Sequence, residues 1–276
     1  MLRSTQITEL NYRIITMNIA IVKISGKALD EVLSNQEWIN TFSDLQNQYD
    51  GVVIVHGAGK NISEWSAAMG IESKFIDGQR VTTERTIEIV AAVQAGILNA
   101  KLVSRLLTSG IDAVGLSGID RGLFVAKAFN KELGYVGYPV LNNSADWILS
   151  LLESKTIPVF SSICRNEEGQ LMNVNADLFT ESLATALNAE SVFFVSDVQG
   201  VKLNGSLKGK IDENDIVKGI KSKEITDGMI PKLNSCIELL NKGIGKVWIG
   251  SKIKEELYNE SRYYSTGGTW IVKKAV

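Results

Sequence analysis

One histidine in 276 residues leaves little room for imidazole chemistry. A Ser-His-Asp triad would rest wholly on His56, and no Gly-x-Ser-x-Gly elbow accompanies it. The two cysteines, Cys164 and Cys236, stand far apart without a histidine cluster. That argues against a zinc site or a disulfide scaffold and leaves free thiols suited to a reducing compartment. Charge is nearly balanced: 29 basic and 31 acidic residues give a net charge of -2. Such a chain has no strong field to draw nucleic acid or an anionic membrane. No apolar run approaches the ~20 residues that span a bilayer. The opening MLRSTQITELNYRIITM lacks the continuous apolar core and small-residue cleavage site of a secretory leader. Glu9 weakens a transit-peptide reading of Arg3 and Arg13. Residues 1–17 are expected to form an N-terminal arm, with Met17 an alternative start. The resulting expectation is a cytoplasmic protein with no nucleic-acid or membrane partner.

What is present is an alternation of strands and helices. Apolar runs at 18–24, 51–55, 111–118, 156–163, 191–197, 246–249 and 269–272 read as strands. Helix-spaced apolar residues fall at 30–49, 62–69, 83–108, 145–154, 176–189 and 229–242. Gly110 follows the long third helix in the usual stop position. Residues 124–129 and 135–140 suggest a hairpin, and 202–227 a polar loop region. Alternation of this kind predicts an α/β fold, a three-layer sandwich with a mostly parallel central sheet. A single domain over 18–276 is expected, with halves at 18–158 and 159–276 sharing one sheet.

Ligands of open α/β sheets bind at the carboxyl ends of the strands, so the residues just after each strand carry the information. Lys23 lies near the end of the first strand, before a glycine turn. It is either a solvated lysine of an edge strand or a cation aimed at an anion held by the turn. In "VIVHGAGKNIS", a buried strand runs into backbone N–H groups at a helix start, a nest suited to phosphate or carboxylate. The Walker spacing is absent, and Ile62 occupies the third glycine position of a dinucleotide fingerprint. Arg80, in "GQRVTTE", can fork onto a carboxylate or be a solvated loop charge. Asn173, Asn175 and Asp177 alternate in "LMNVNADLF"; they can cap the next helix or point together at a ligand. Lys232 is either a surface lysine or, with Lys23, a two-lysine clamp on a transferring phosphoryl group.

Taken together, "IVKISG", "VIVHGAG", "GQRVT", "AVGLSGID", "ELGYVG", "IPVFSSI", "GQLMNVNAD", "SDVQGV" and "ITDGMIPK" resemble the amino acid kinase superfamily, and within it the acetylglutamate kinases. The resemblance covers about residues 18–272. It implies transfer of the γ-phosphoryl group of ATP to the side-chain carboxylate of an N-acylglutamate in arginine biosynthesis, with Mg²⁺ held chiefly by the phosphates. By position, Lys23 and Lys232 would neutralise the phosphoryl group and Asp177 would orient both. Gly26, Gly57 and the amide of Ala58 would cradle the reacting groups. Arg80 and Asn173, with Asn175 beside them, would bind the substrate α-carboxylate and its neighbouring amide. Ser196, Asp197, Gly200 and Met229 would line the nucleotide site, and no metal-ligating residues are implied. A carboxylate is already ionised at neutral pH, so no general base is needed and His56 has no proton to move.

The family usually carries two glycines where this chain has Ser25 and Gly26, and three where it has Gly57, Ala58 and Gly59. The acyl group, acetyl or succinyl, is open at this point. Other readings are a kinase for a different acid, or a catalytically silent amino-acid sensor. The presence of Lys23, Lys232 and Asp177 argues against the sensor. The family also implies a homodimer, here with too short an arm for arginine control.

Overall fold

The computed structural model describes residues 17–226, 229–253 and 267–273. The arm at 1–16 and Gly228 ahead of the last long helix lie outside them. The chain opens with β1 (Ile19–Ile24), whose six residues are all buried. The predicted helix at 30–49 is two helices, α1 (Leu29–Ser34) and α2 (Gln36–Gln48). Asn35 breaks it: its backbone is extended, and its side chain accepts from the Glu37 amide to cap α2. β2 (Gly51–His56) runs into α3 (Gly59–Ala68). A two-residue hairpin, β3 (Phe75–Ile76) with β4 (Gln79–Arg80), precedes the long helix.

That helix runs without interruption as α4 (Glu84–Ala91), a π-helical segment (Ala92–Leu98) and α5 (Asn99–Thr108). By length and composition it could cross a bilayer, which the sequence reading did not pick up. Half of its most apolar window is buried in the protein, where Leu102 and Leu106 join the core and α5 packs on β5 (Ala113–Ser117).

Next come β6 (Phe124–Ala128), β7 (Val136–Leu141), α6 (Asp146–Glu153), β8 (Ile157–Ser161), β9 (Ile163–Arg165), β10 (Leu171–Val174), α7 (Ala176–Ala186) and β11 (Ser191–Val195). The region read as polar loop contains β12 (Lys202–Leu203), β13 (Ser206–Leu207), β14 (Lys210–Ile211) and α8 (Glu213–Lys221). An aspartate capping box, Asp212 with Asp215, starts α8. The chain closes with α9 (Ile230–Asn241), β15 (Lys246–Gly250) and β16 (Gly268–Ile271).

Eight strands form one sheet in the order β14-β16-β15-β11-β1-β2-β8-β5. It is parallel except where β15 meets β16. Side chains alternate across a strand, so each strand feeds two cores. Ile19, Ile21, Val53 and Val55 pack with α6, α7 and α9. Ala20, Val22, Val52 and Ile54 pack with α1 to α5. Two cores on one sheet make the predicted three layers. β6, β7, β9 and β10 close into a small barrel beside it.

Candidate active site

β1 is the middle of the sheet, flanked by β2 on one side and β11 on the other. The order of the strands reverses there, which opens a crevice at their carboxyl ends. Lys23 stands in that strand and is only 8% exposed, so the edge-strand alternative is ruled out. It shares the face of Ile19 and Ile21 toward α7, and its Nζ lies 2.5 Å from Asp177 Oδ1. Asp177 occupies the first turn of α7.

Two turns meet beside this pair. Gly57 N–H donates to the Ile24 carbonyl at 2.9 Å, so that amide ties the turns together rather than facing a ligand. The amides of Gly26, Ala58 and Gly59 donate to no described residue. Ala58 and Gly59 form the start of α3, where N–H groups and helix dipole favour an anion, and Gly26 adds its amide from the turn after β1. A Cβ on Gly26 would sit 2.7 Å from Gly59 N, and one on Gly57 3.2 Å from Gly26 N. The close approach of backbones therefore needs glycine at 26 and 57. Gly59 would meet nothing within 4 Å, and Ala58 has an ordinary negative φ of -146° with its methyl in the core. The missing glycine costs the loop nothing in backbone geometry.

A cavity of about 210 Å³ extends from Lys23, Asp177 and this loop. Arg80 forms one wall. It is 7% exposed, donating to Ser73 Oγ (2.6 Å), Gly59 O (2.9 Å) and Ser63 Oγ (2.8 Å), with its guanidinium 4.8 Å from the Phe75 ring. Those bonds use three of its five N–H groups. Among the described residues no carboxylate pairs with it, and burial pushes its pKa down. A buried cation without a counter-charge is unfavourable until an anion supplies one. Asn173 also lines the cavity and donates to Thr82 Oγ1 at 3.0 Å. Asn175 both lines it and caps α7, accepting from Asp177 N at 2.7 Å. Capping and ligand-facing positions thus coincide here.

Lys232, in the first turn of α9, donates to Ser196 Oγ at 2.7 Å and lies 3.9 Å from Asp197. Asp177 pairs directly with Lys23, while Ser196 is the hydrogen-bond partner of Lys232, which the Asp177 charge reaches through space. Burial and then the neighbouring Lys23 charge lower the Lys232 pKa, so the two cations converge. Asp197 is held down to about 2, chiefly by its hydrogen bond from Lys27 at 2.8 Å. Asp197, Gly200 and Met229 line a second cavity of about 500 Å³, with Thr226 and Ile225. Gly200 has φ +130°, a conformation that favours glycine. Ser196 sits between the two cavities rather than in the second.

His56 is fully buried, its Nε2 3.2 Å from Asn99 Nδ2, and burial lowers its pKa to about 4. It is a neutral structural residue. Three polar residues escaped the sequence reading. Gln94, from the π-helical segment, and Ser162, after β8, form the cavity floor. Lys27 is the third. The signal for Gln94 was faint: a polar residue on the apolar face of a helix, displaced from 3.6-residue spacing by the π segment.

Residues 18–251 match the amino acid kinase family model. The chain belongs to the amino acid kinase family. Within that family it is 33% identical to the acetylglutamate kinase of Staphylococcus saprophyticus over 93% of this chain and 100% of that protein. It is 36% identical to the acetylglutamate kinase of Clostridium acetobutylicum over 82% of this chain and 80% of that one. Among solved structures, smu.665 from Streptococcus mutans superposes with a TM-score of 0.77 and 27% identity, covering 92% of this chain and 98% of that one. N-acetylglutamate synthase from Neisseria gonorrhoeae shares the fold, with a TM-score of 0.75 at 19% identity over 94% of this chain and 60% of that one.

Proposed function

We propose that this amino acid kinase transfers the γ-phosphoryl group of ATP to the side-chain carboxylate of N-acetylglutamate, a step of arginine biosynthesis. Its curated relatives carry that activity in their names. The single structural observation that carries it is Arg80, a buried cation without a counter-charge among the described residues, in the same cavity as Lys23 and the amides of Ala58 and Gly59. A dicarboxylate fits such a cavity, with one carboxylate on Arg80 and the other at the loop.

In this reading one oxygen of the side-chain carboxylate attacks the γ-phosphorus. The new O–P bond forms as the bond to the β-phosphate oxygen breaks, and ADP leaves. No proton moves, which accords with a buried, neutral His56. The amides of Gly26, Ala58 and Gly59 hold the reacting oxygens, while Lys23 and Lys232 offset charge on the equatorial oxygens. Asp177 fixes Lys23; Ser196 fixes Lys232. The nucleotide occupies the cavity around Gly200 and Met229.

Mg²⁺ belongs to the same proposal. Among the described residues no cluster of three or more His, Cys, Asp or Glu could hold a metal. In that reading the ion would be held mainly by phosphates and water, and Asp197, ionised and half-exposed, is the residue that would help hold it. Bound there, it would supply further positive charge. The protein is also proposed to work as a cytoplasmic homodimer without arginine control; cell fractionation and gel filtration with and without arginine test these points.

ADP release should be measured with N-acetylglutamate, N-succinylglutamate, free glutamate, carbamate and aspartate. Turnover greatest with N-acetylglutamate is expected. Turnover with none of the acylglutamates would remove the proposal, and preference for carbamate or aspartate would replace it.

A further inference from the structure

Gln94 is 3% exposed, yet it lines the substrate cavity. Its Nε2 donates twice, to the His56 carbonyl at 3.1 Å and to Ser162 Oγ at 2.9 Å. Ser162, itself 1% exposed, passes its own proton to the Val174 carbonyl at 2.7 Å. The direction of this chain is forced. Two carbonyl oxygens can only accept, so Ser162 must donate to Val174, and the amide NH₂ of Gln94 must face His56. Both of its N–H groups are then used. What remains is the side-chain carbonyl oxygen Oε1, which meets no donor among the described residues. That oxygen is not sealed in the core, and since Gln94 lines the cavity it is open to accept from a bound ligand.

Lys23 and the loop amides suit one carboxylate, and Arg80 with Asn173 suits the other. The acylamide is the part of an N-acylglutamate left to reach the floor. An amide N–H is the donor that Oε1 lacks. An acyl group ending in its own carboxylate would instead bring a negative oxygen toward an acceptor.

We propose that the Gln94 side-chain carbonyl, fixed by His56 O and Ser162, accepts from the acylamide N–H of the substrate and thereby selects short, uncharged N-acyl groups over acyl groups with a carboxylate tail. This rests on the acylglutamate kinase reading and names the residue that sets its acyl preference. Gln94 touches the substrate, whereas Ser162 acts through Gln94 as a positioning residue.

The test compares kcat and KM for N-acetylglutamate and N-succinylglutamate in the wild type, Gln94→Met and Ser162→Ala. Gln94→Met keeps the length and removes the acceptor. It should raise KM for N-acetylglutamate about five- to tenfold, the loss of one hydrogen bond, while kcat changes much less. The ratio of kcat/KM for acetyl over succinyl should fall at least threefold. Ser162→Ala should move the same ratio in the same direction by a smaller factor. Thermal unfolding of each variant checks that the fold survives, and Ser162→Ala carries the test if Gln94→Met does not fold. A ratio unchanged in a folded variant overturns the inference while leaving the kinase reading intact. Turnover of neither substrate by the wild type overturns the kinase reading itself.

Discussion

The ammonium of Lys23 lies 2.5 Å from Oδ1 of Asp177, joining the central strand to the first turn of the helix that closes the site. Lys23 gains a fixed position from this pair. Lys232 is held differently, by Ser196. The two lysines therefore answer to different partners. Lys23→Ala and Lys232→Ala should each lower kcat by roughly two powers of ten or more, if each supplies charge at the transition state. Ser196→Ala should weaken Lys232 chiefly, and Asp177→Asn should weaken Lys23 chiefly, since the Asp177 charge also reaches Lys232 through space. A double variant of Ser196→Ala in Lys232→Ala that loses no more than Lys232→Ala would confirm the pairing; full additivity would contradict it.

The lowered pKa of Lys232 has a kinetic consequence. Its causes are burial and the Lys23 charge, and both favour the neutral amine. The group works as a cation, so activity is present at low pH and is lost as pH rises through a pKa below that of free lysine. The pH profile of kcat should show an alkaline limb, and Lys232→Arg should shift that limb upward, because arginine stays protonated. A limb that is identical in both proteins assigns it to another group.

Arg80 is buried, holds three protein acceptors and lacks a carboxylate partner among the described residues. Arg80→Met should raise KM for the acylglutamate roughly ten- to a hundredfold, the loss of charged hydrogen bonds. N-acetylglutamate should raise the unfolding temperature of the wild type but hardly that of the variant. An unchanged KM would place the α-carboxylate elsewhere.

The glycine positions separate in a way the sequence pattern does not suggest. A methyl on Gly26 would press on Gly59 N at 2.7 Å, whereas one on Gly59 meets nothing. Gly26→Ala should therefore lower kcat/KM by at least roughly tenfold through displaced amides, and Gly59→Ala should be close to wild type. Comparable losses in both variants would contradict the geometry. Ala58→Gly should have little effect, since Ala58 already has an allowed backbone and a buried methyl.

His56 gives a clean measurement because it is the only histidine. Its folded pKa is about 4 against 6.5 for a free imidazole. The unfolded chain binds the extra proton, so stability is full above pH 6.5 and is lost as pH falls from 6.5 toward 4. The 2.5-unit difference corresponds to about 3 kcal/mol. The single imidazole proton resonance should stay constant between pH 5.5 and 8. A titration near 6.5 would show an accessible ring.

Much of this was legible in advance, for physical reasons that differ by residue. Strands buried on both faces write continuous apolar runs, and the polar residues just after them stand out. Lys23, Gly26, Asn173 and Asp177 were picked out that way, whereas Arg80 and Lys232 drew notice beside a turn and a helix start. The polar stretch at 202–227 hid α8 because Ile216 and Gly219 are its only buried residues, too few to write a periodicity. Gln94 was hidden because a π segment shifts the face on which a helical residue lies. The partners of Lys232 could not be read, since Ser196 is 36 residues away and is brought near only by the packing of α9.

The central claim is that a carboxylate is phosphorylated. Hydroxylamine traps an acyl phosphate as a hydroxamate, whereas phosphate esters and free phosphate do not react. The wild-type protein incubated with ATP, Mg²⁺, N-acetylglutamate and hydroxylamine should yield hydroxamate in a one-to-one ratio with ADP, and Lys23→Ala should yield almost none. ADP released without hydroxamate, or no ADP at all, would contradict the account.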